Sequence, residues 1–485
     1  MAGAERISPS NLRPLAEVAS FDREADVVIV GFGCAGACAA LEATAAGADT
    51  LVLERAGGGG GTSAMSGGIL YLGGGTPTQR DAGFEDSPEE MFKYLMAATG
   101  PGPNEAKLRL FCDESVSHWE WLVGHGFEFK PEFSPEPGME AQNDAGLNYT
   151  GGEDGWPFLD IAKPAPRGHK PRQNAAAGSL VMQNLIAAVE KTAARVECDT
   201  RVETLVVDEA GRVVGVIAWQ DQQEIAVRAR KGVILAGGGF ILNDEMIARH
   251  APTASRCKMK IASDGDDGRA IRMGIAAGGE ASRMEALEVA APITPPHRLC
   301  RGILVNARGQ RFINEDTYFG RIGQESLFRQ DGQMYLVVDS AVYEPNFFGL
   351  EAKWVEESIG ELEASIGLPT GSLEATLGYY NTHAAQGDDP LFHKRADFTV
   401  ALDQGPWAAI DWRVEKTVYA TFTLGGLTTD VDGRVLDVDG GWVEGLYAAG
   451  RTTNGLPSWG YASGLSLSDG TFFGRRAGRE AAGAA

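Results

Sequence analysis

Hydrophobic positions in this chain follow two patterns, short unbroken apolar runs and longer stretches at helical spacing. The run Val27 to Val30 reads as a strand buried on both faces, as in a parallel sheet. Small residues follow to Ala46, Gly47 stops them, and a second apolar strand spans 50–53. Ser87-Pro88-Glu89-Glu90 marks a helix start, with the helix running to about Ala98. Leu108, Phe111, Val116, Trp119 and Leu122 recur near helical spacing and predict a helix from Pro103 to Val123. Periodicity is lost over 126–175, a stretch with seven prolines that reads as a binding surface or a mobile loop. An amphipathic helix is expected from Ala175 to Ala194.

Strands at 202–208, 212–219 and 223–230 make a meander, and Gly232 to Phe240 is a separate buried strand ending in glycine. Asp264-Gly265-Asp266-Asp267-Gly268 precedes a helix over 269–277. From about residue 284 the pattern changes to a hairpin over 302–313, a strand at 334–338, and helical segments at 350–366 and 371–385. This predicts an inserted α+β unit over 284–418, between a first domain part at 1–283 and its return at 419–485. Strands recur at 427–430 and 445–450, and the last helix starts near Ser463 and passes Phe472-Phe473-Gly474-Arg475. The tail from Gly478 reads as frayed, and residues 1–24 as a surface arm.

Composition narrows the function classes. A chain of 485 residues with 44% hydrophobic content can build more than one core. The net charge of −23 speaks against nucleic acid or an anionic membrane as partner. No apolar run reaches the roughly 18 residues of a membrane span, and the N-terminus has no signal-like apolar core. Six scattered cysteines without a metal-binding spacing fit a reducing, cytoplasmic setting and predict no metal site. Cys34 and Cys38 are expected to pack as small hydrophobes.

The chemistry begins between the first strand and its helix. Gly31, Gly33 and Gly36 stand in the spacing G-x-G-x-x-G, with Glu54 at the end of the second strand. The first glycine permits the tight turn, the second lets a pyrophosphate approach, and the third lets helix and strand pack closely. The helix N-terminus offers free N–H groups to phosphate, and Glu54 can accept from ribose hydroxyls. The loop 57–68 follows at once and carries Thr62, Ser63 and Ser66 among its glycines. Its backbone N–H groups suit a second length of pyrophosphate and a flavin edge, which favours FAD over NAD.

These motifs resemble the FAD-dependent oxidoreductases related to fumarate reductase flavoprotein subunits. Further support comes from Gly238-Gly239-Phe240, the turn 264–268, Gly309-x-Arg311-Phe312-x-Asn314-Glu315 and the strand 445–450, so that the similarity spans about 24–479. The segment from Gly450 to Gly464, with Pro457-Ser458-Trp459-Gly460-Tyr461-Ala462-Ser463, most resembles the 3-ketosteroid Δ4-(5α)-dehydrogenases. The resemblance implies an α/β fold, a Rossmann-like FAD-binding domain with an inserted α+β catalytic (capping) domain. It also implies non-covalent FAD, a steroid substrate and an unidentified electron acceptor. On the same ground Tyr318, Tyr461 and Ser463 are catalytic, and Trp459, Gly460 and Gly464 contact substrate. FAD is expected at Gly31, Gly33, Gly36, Glu54, Arg55, Thr62, Ser63, Ser66, Gly67, Gly68, Val202, Gly237, Gly238, Asp264, Gly450, Gly464, Leu465 and Ser466.

What the C-terminal stretch lacks points the same way. A dicarboxylate site needs Arg and His clamps, yet no Arg, Lys or His lies between Arg451 and Arg475. Neutral donors suit a ketone on an apolar ring system. In the expected chemistry Tyr461, with a backbone N–H near Gly464, hydrogen-bonds the 3-keto oxygen, Tyr318 accepts or relays the α proton, and Ser463 supports one hydroxyl, the swap of the two tyrosine roles being the alternative. Alternatives are a Δ1-dehydrogenase, a fumarate- or urocanate-type reductase, and a flavin-binding module without catalysis.

Overall fold

The computed structural model describes residues 11–135 and 140–483. The expected arm at 1–10, four residues of the 126–175 stretch and the last two residues of the tail lie outside the described residues.

A nine-stranded sheet forms the base. Its centre is Arg23–Val30, parallel to Thr50–Leu53 on one side and to Gln223–Leu235 on the other. Alternate residues serve different cores. Val28 and Val30 face the larger core, which continues into the 303–411 region, and Val27 and Ile29 face the helix Cys34–Ala45. Both faces are covered, which explains an unbroken apolar strand. The closing helix Leu465–Gly483 packs along Cys34–Ala45, where Cys34 and Cys38 are buried as expected.

The meander belongs to this sheet. Thr200–Val207 and Val213–Gln220 pair antiparallel, and Gln223–Leu235 continues the sheet to its centre. The two expected strands, 223–230 and 232–240, are replaced by one, Gln223–Leu235, bent at a bulge between Ala229 and Gly232. The polar run Arg228 to Lys231 interrupts the apolar pattern at that bulge, and so conceals the continuity. Trp442–Ala448 pairs with its second half. Part of the expected arm is sheet edge, since Leu12–Pro14 pairs with 205–207.

A separate antiparallel sheet is ordered 303–305, 335–339, 407–411, 352–356. The expected helix at 350–366 is corrected here. Ala352–Glu356 is a strand, and the helix is Ile359–Ile366, started by the Ser358 hydroxyl accepting from the Glu361 N–H at 3.3 Å. Pairing with 407–411 overrides local preference. A third, small sheet joins Met259–Lys260, Ala420–Thr423 and Leu287–Ala290, with the helix Phe319–Gln324 against the last of these.

Two further expectations change. The 126–175 stretch is packed, with Gly168–His169 pairing to both 70–71 and 147–148. Arg167 and Asp86 make a fully buried pair at 2.7 Å, and the Lys170 ammonium is enclosed by the carbonyls of Ala141, Asn143, Gln173 and Ala175. The tail is not frayed. The helix continues to Gly483 with Ala481 and Ala482 buried, and Lys231 Nζ donates to the Ala482 carbonyl at 2.5 Å. Among the described residues no helix is long and apolar enough to cross a membrane.

Candidate active site

A cavity of about 530 Å³ opens where the central strands end. That volume is typical of ligand sites, roughly 300–1,000 Å³. Gly31 turns out of the first strand at φ +102°, a conformation suited to glycine. Gly36 lies below, buried against that turn, and a Cβ there would overlap the Gly31 carbonyl oxygen. A Cβ on Gly33 would meet only Ser63 Oγ at 3.5 Å and the Gly60 carbonyl at 3.9 Å, so space remains over the helix N-terminus. Glu54 is held by two backbone donors, the Phe32 N–H at 2.7 Å and the Ala56 N–H at 2.8 Å. Each carboxylate oxygen keeps a lone pair for a ligand hydroxyl. Arg55 closes this end, donating to the Asp264 carbonyl at 2.9 Å and to Asp267 at 3.1 Å.

Asp266 ties three segments of the lining together. It accepts from Thr62 Oγ1 at 2.8 Å and from the Gly239 N–H at 2.9 Å, and is ion-paired with Arg451. Sequence reasoning singled out its turn but not this residue. Ser466 Oγ and Arg451 Nη1 are buried without a partner and belong to residues of the lining. Unpaired buried donors, a glycine cradle at a helix N-terminus and a fixed acid together fit a dinucleotide such as FAD.

Farther along, the lining changes to Ala290, Phe319, Phe422, Tyr318, Tyr461 and Ser463. Tyr318 caps the helix Phe319–Gln324. A buried network steadies the approach to it, with Arg311 bound to Glu315 at 2.8 Å and to Asp389 at 2.8 Å, and Lys394 to Glu315 at 2.8 Å. Tyr461 precedes the closing helix, packed edge-on to Phe422 with centroids 5.4 Å apart. Its hydroxyl oxygen accepts from the Ser466 N–H at 3.2 Å, which leaves its own proton free to donate. Burial pushes this phenol up to about 12 against that hydrogen bond. The Tyr318 hydroxyl donates to Glu288 Oε1 at 2.7 Å. Burial, then the neighbouring Glu288 carboxyl, hold this phenol well above the ordinary tyrosine value.

Most expected residues converge on the cavity, and four do not line it: Gly36, Leu465, Trp459 and Gly460. Leu465 is fully buried in the core at the helix start. Trp459 stacks edge-on to Phe328, and its carbonyl accepts from Gln324 Nε2 at 2.7 Å. Gly460 lies against the end of the helix Pro88–Ala98, where a Cβ would overlap the Ala98 carbonyl oxygen. Ser463 lines the cavity, with its N–H held by the Thr150 carbonyl at 3.1 Å. The Tyr461 hydroxyl has the Ser466 N–H as partner and the Tyr318 hydroxyl has Glu288. Sequence reasoning missed Glu288, Phe319 and Phe422, and the one available signal for Glu288 was a lone acid in the apolar run Leu287 to Ala290.

Comparison with known proteins agrees with this geometry. The family described as FAD binding domain matches residues 26–467. The crystal structure of 3-ketosteroid-Δ4-(5α)-dehydrogenase from Rhodococcus jostii RHA1, in complex with 4-androstene-3,17-dione, is 48% identical with TM-score 0.94, covering 97% of this chain and 99% of that one. The 3-oxo-5-alpha-steroid 4-dehydrogenase of Comamonas testosteroni is 29% identical over 88% of this chain and 92% of its own length. The 3-ketosteroid Δ1-dehydrogenase of Sterolibacterium denitrificans, at 21% identity and TM-score 0.73 over 95% of this chain and 99% of that one, shares the fold. The chain thus belongs to the FAD binding domain family of flavoproteins and, within it, to the 3-ketosteroid Δ4-(5α)-dehydrogenases.

Proposed function

We propose that this chain oxidises 5α-3-ketosteroids to the 4-ene-3-ketone. The observation that carries the reading is a pair of phenols, Tyr318 buried and Tyr461 half-buried, beside Ala290, Phe319, Phe422 and Ser463, with the Glu288 carboxyl bound to Tyr318. Arg451, whose guanidinium lies over Phe422, is ion-paired with Asp266, and among the described residues the lining holds no lysine or histidine. A site with those groups favours a neutral ketone over a dicarboxylate.

Tyr461 donates to the 3-keto oxygen and stabilises the charge that develops there as the enolate forms. The Ser466 N–H fixes the orientation of that hydroxyl, and the raised phenol stays a donor through neutral pH. Tyr318 takes the proton from C4, the carbon α to the ketone, since its own proton already points at an acceptor. Phe319 and Phe422 hold the ring and exclude water. Bound FAD supplies the two-electron acceptor for the hydrogen at C5. Glu54, the Gly31–Gly36 turn, the loop 57–68 and Ser466 are the groups that would hold it. Non-covalent attachment is supported by a lining with a single thiol, Cys34, which faces the closing helix at Gly470.

The segment 284–418 serves as the catalytic unit, since it supplies Glu288, Ala290, Tyr318 and Phe319. Free thiols at all six described cysteines support a cytoplasmic setting, and the net charge of −23 supports a partner other than nucleic acid as electron acceptor.

Anaerobic mixing with 5α-androstane-3,17-dione tests the reading. Flavin absorbance should bleach while the 4-ene-3-one band grows. A 1-ene product alone would replace this reading with the Δ1 reaction. Y318F and Y461F should each lower turnover by ~100-fold or more with FAD content unchanged.

A further inference from the structure

Glu288 is an acid where the surrounding strand calls for an apolar residue. It lies between Leu287 and Val289 in Leu287–Ala290, opposite Phe422, and is 2% exposed. Oε1 accepts from Tyr318, and Oε2 is buried without a hydrogen-bond partner. The neighbouring helix makes room for it, because a Cβ on Gly320 would overlap Glu288 Oε1. A buried carboxyl without a cation beside it is costly, and packing alone would be served by glutamine or an apolar side chain.

We propose that Glu288 is the second acceptor of the substrate proton, receiving the phenolic proton of Tyr318 as Tyr318 takes the proton from C4. The inference rests on the reading of Tyr318 above and extends it. The C4–H bond breaks and leaves its electron pair in the enolate stabilised by Tyr461. A new O–H bond forms at Tyr318 while the old one breaks, and an O–H bond forms at Glu288. Tyr318 is thereby neutral before and after the transfer, so the high phenol pKa imposed by burial is no obstacle. Glu288 acts through Tyr318 and is a positioning and proton-accepting residue.

The titratable groups facing Glu288 are few. Tyr318 reaches it from the start of the helix Phe319–Gln324, which otherwise presents Gly320. Tyr461 stands on the turn before the closing helix, near enough for the Glu288 charge to raise its phenol. The strand Ala420–Thr423 faces it with Phe422 in register, and Thr421 Oγ1 donates to the Glu288 carbonyl at 2.6 Å. Arg451 lies over Phe422 and is ion-paired with Asp266. Burial pushes the Glu288 carboxyl up to about 8, against the hydrogen bond from Tyr318. The accepting form is the carboxylate, so turnover should rise with pH and level off above about 8.

The test uses holoenzyme of wild type, E288Q and E288D. Turnover of a 5α-3-ketosteroid is followed from about pH 5.5 to about pH 10, and affinity for 4-androstene-3,17-dione is read from the flavin spectrum. E288Q should lower kcat by ~100-fold or more, leave that affinity within ~3-fold, and abolish the rise toward alkaline pH. E288D, which restores a carboxylate, should recover part of kcat and a displaced pH limb. A kcat within ~5-fold of wild type with an unmoved pH limb in E288Q overturns the proposal and leaves the functional reading standing. If E288Q does not retain FAD, an unmoved limb in E288D overturns it. Wild-type enzyme that leaves every 5α-3-ketosteroid untouched overturns the functional reading, and this proposal with it.

Discussion

Gly36 has a hydrogen where any other residue would press a carbon into the Gly31 carbonyl oxygen. The obstacle is backbone, so neither partner can rotate away. G36A should therefore displace the turn that faces the cofactor, with FAD affinity falling by ~10-fold or more in titrations of the stripped protein. This residue was legible because its constraint is local, set by a neighbour five positions away. Glu54 was legible for the same reason, lying one strand later and bound back to the Phe32 N–H. Glu288 was not. A single acid in a short apolar strand looks like a solvent-facing position until Tyr318 and Gly320 are seen to enclose it.

The closing helix shows what a whole element adds. Gly470, Gly474 and Gly478 recur every fourth residue, so they lie on one helix face. A Cβ at 474 would overlap the Ala35 carbonyl and one at 478 the Ala39 carbonyl, so the two helices meet backbone to backbone. That contact also places the first turn of the helix, with Ser466 and Leu467, against the cavity. G474V should cost about 1–3 kcal/mol of stability by overpacking, seen as a lower midpoint in thermal or denaturant unfolding. It should also weaken FAD retention. Sequence pattern announced the helix but misjudged its end. The alanines that suggested fraying are small because Lys231 and the sheet lie over them.

For the molecule as a whole, buried carboxyls couple stability to pH in both directions. Glu153 is 1% exposed, and burial pushes it up to about 7 despite Arg167 and the Gly151 N–H. The folded protein thus binds that proton more tightly than the unfolded chain does. Its contribution is full below the ordinary value of 4.5 and is lost as pH rises through about 7. A shift of that size amounts to the order of 3 kcal/mol. Glu315 and Asp389 are held below their ordinary values, against the cost of burial, by Arg311 and Lys394. Their contribution is present at neutral pH and is lost on acidification. Unfolding midpoints measured from about pH 5 to about pH 8.5 should fall less steeply toward alkaline pH in E153Q than in wild type, with the acid side unchanged. An equal alkaline slope in the two proteins would count against this assignment.

The sequence by itself determined the parts governed by neighbours in the chain. These are the Rossmann opening, the glycine turn with its acid, most helices, and the neutral character of the segment before the last helix. Those features depend on spacing and on side-chain size within a few turns. Tertiary structure alone decided that 223–235 is one strand, that Ala352–Glu356 extends, and that the proline-rich stretch packs. It also decided where Trp459 and Gly460 sit, against Phe328 and the Ala98 carbonyl. The reason is common to all of these. Each depends on a partner brought up from elsewhere in the fold, as Tyr318 meets Glu288 across a helix and a strand, and no local pattern encodes which partner will arrive.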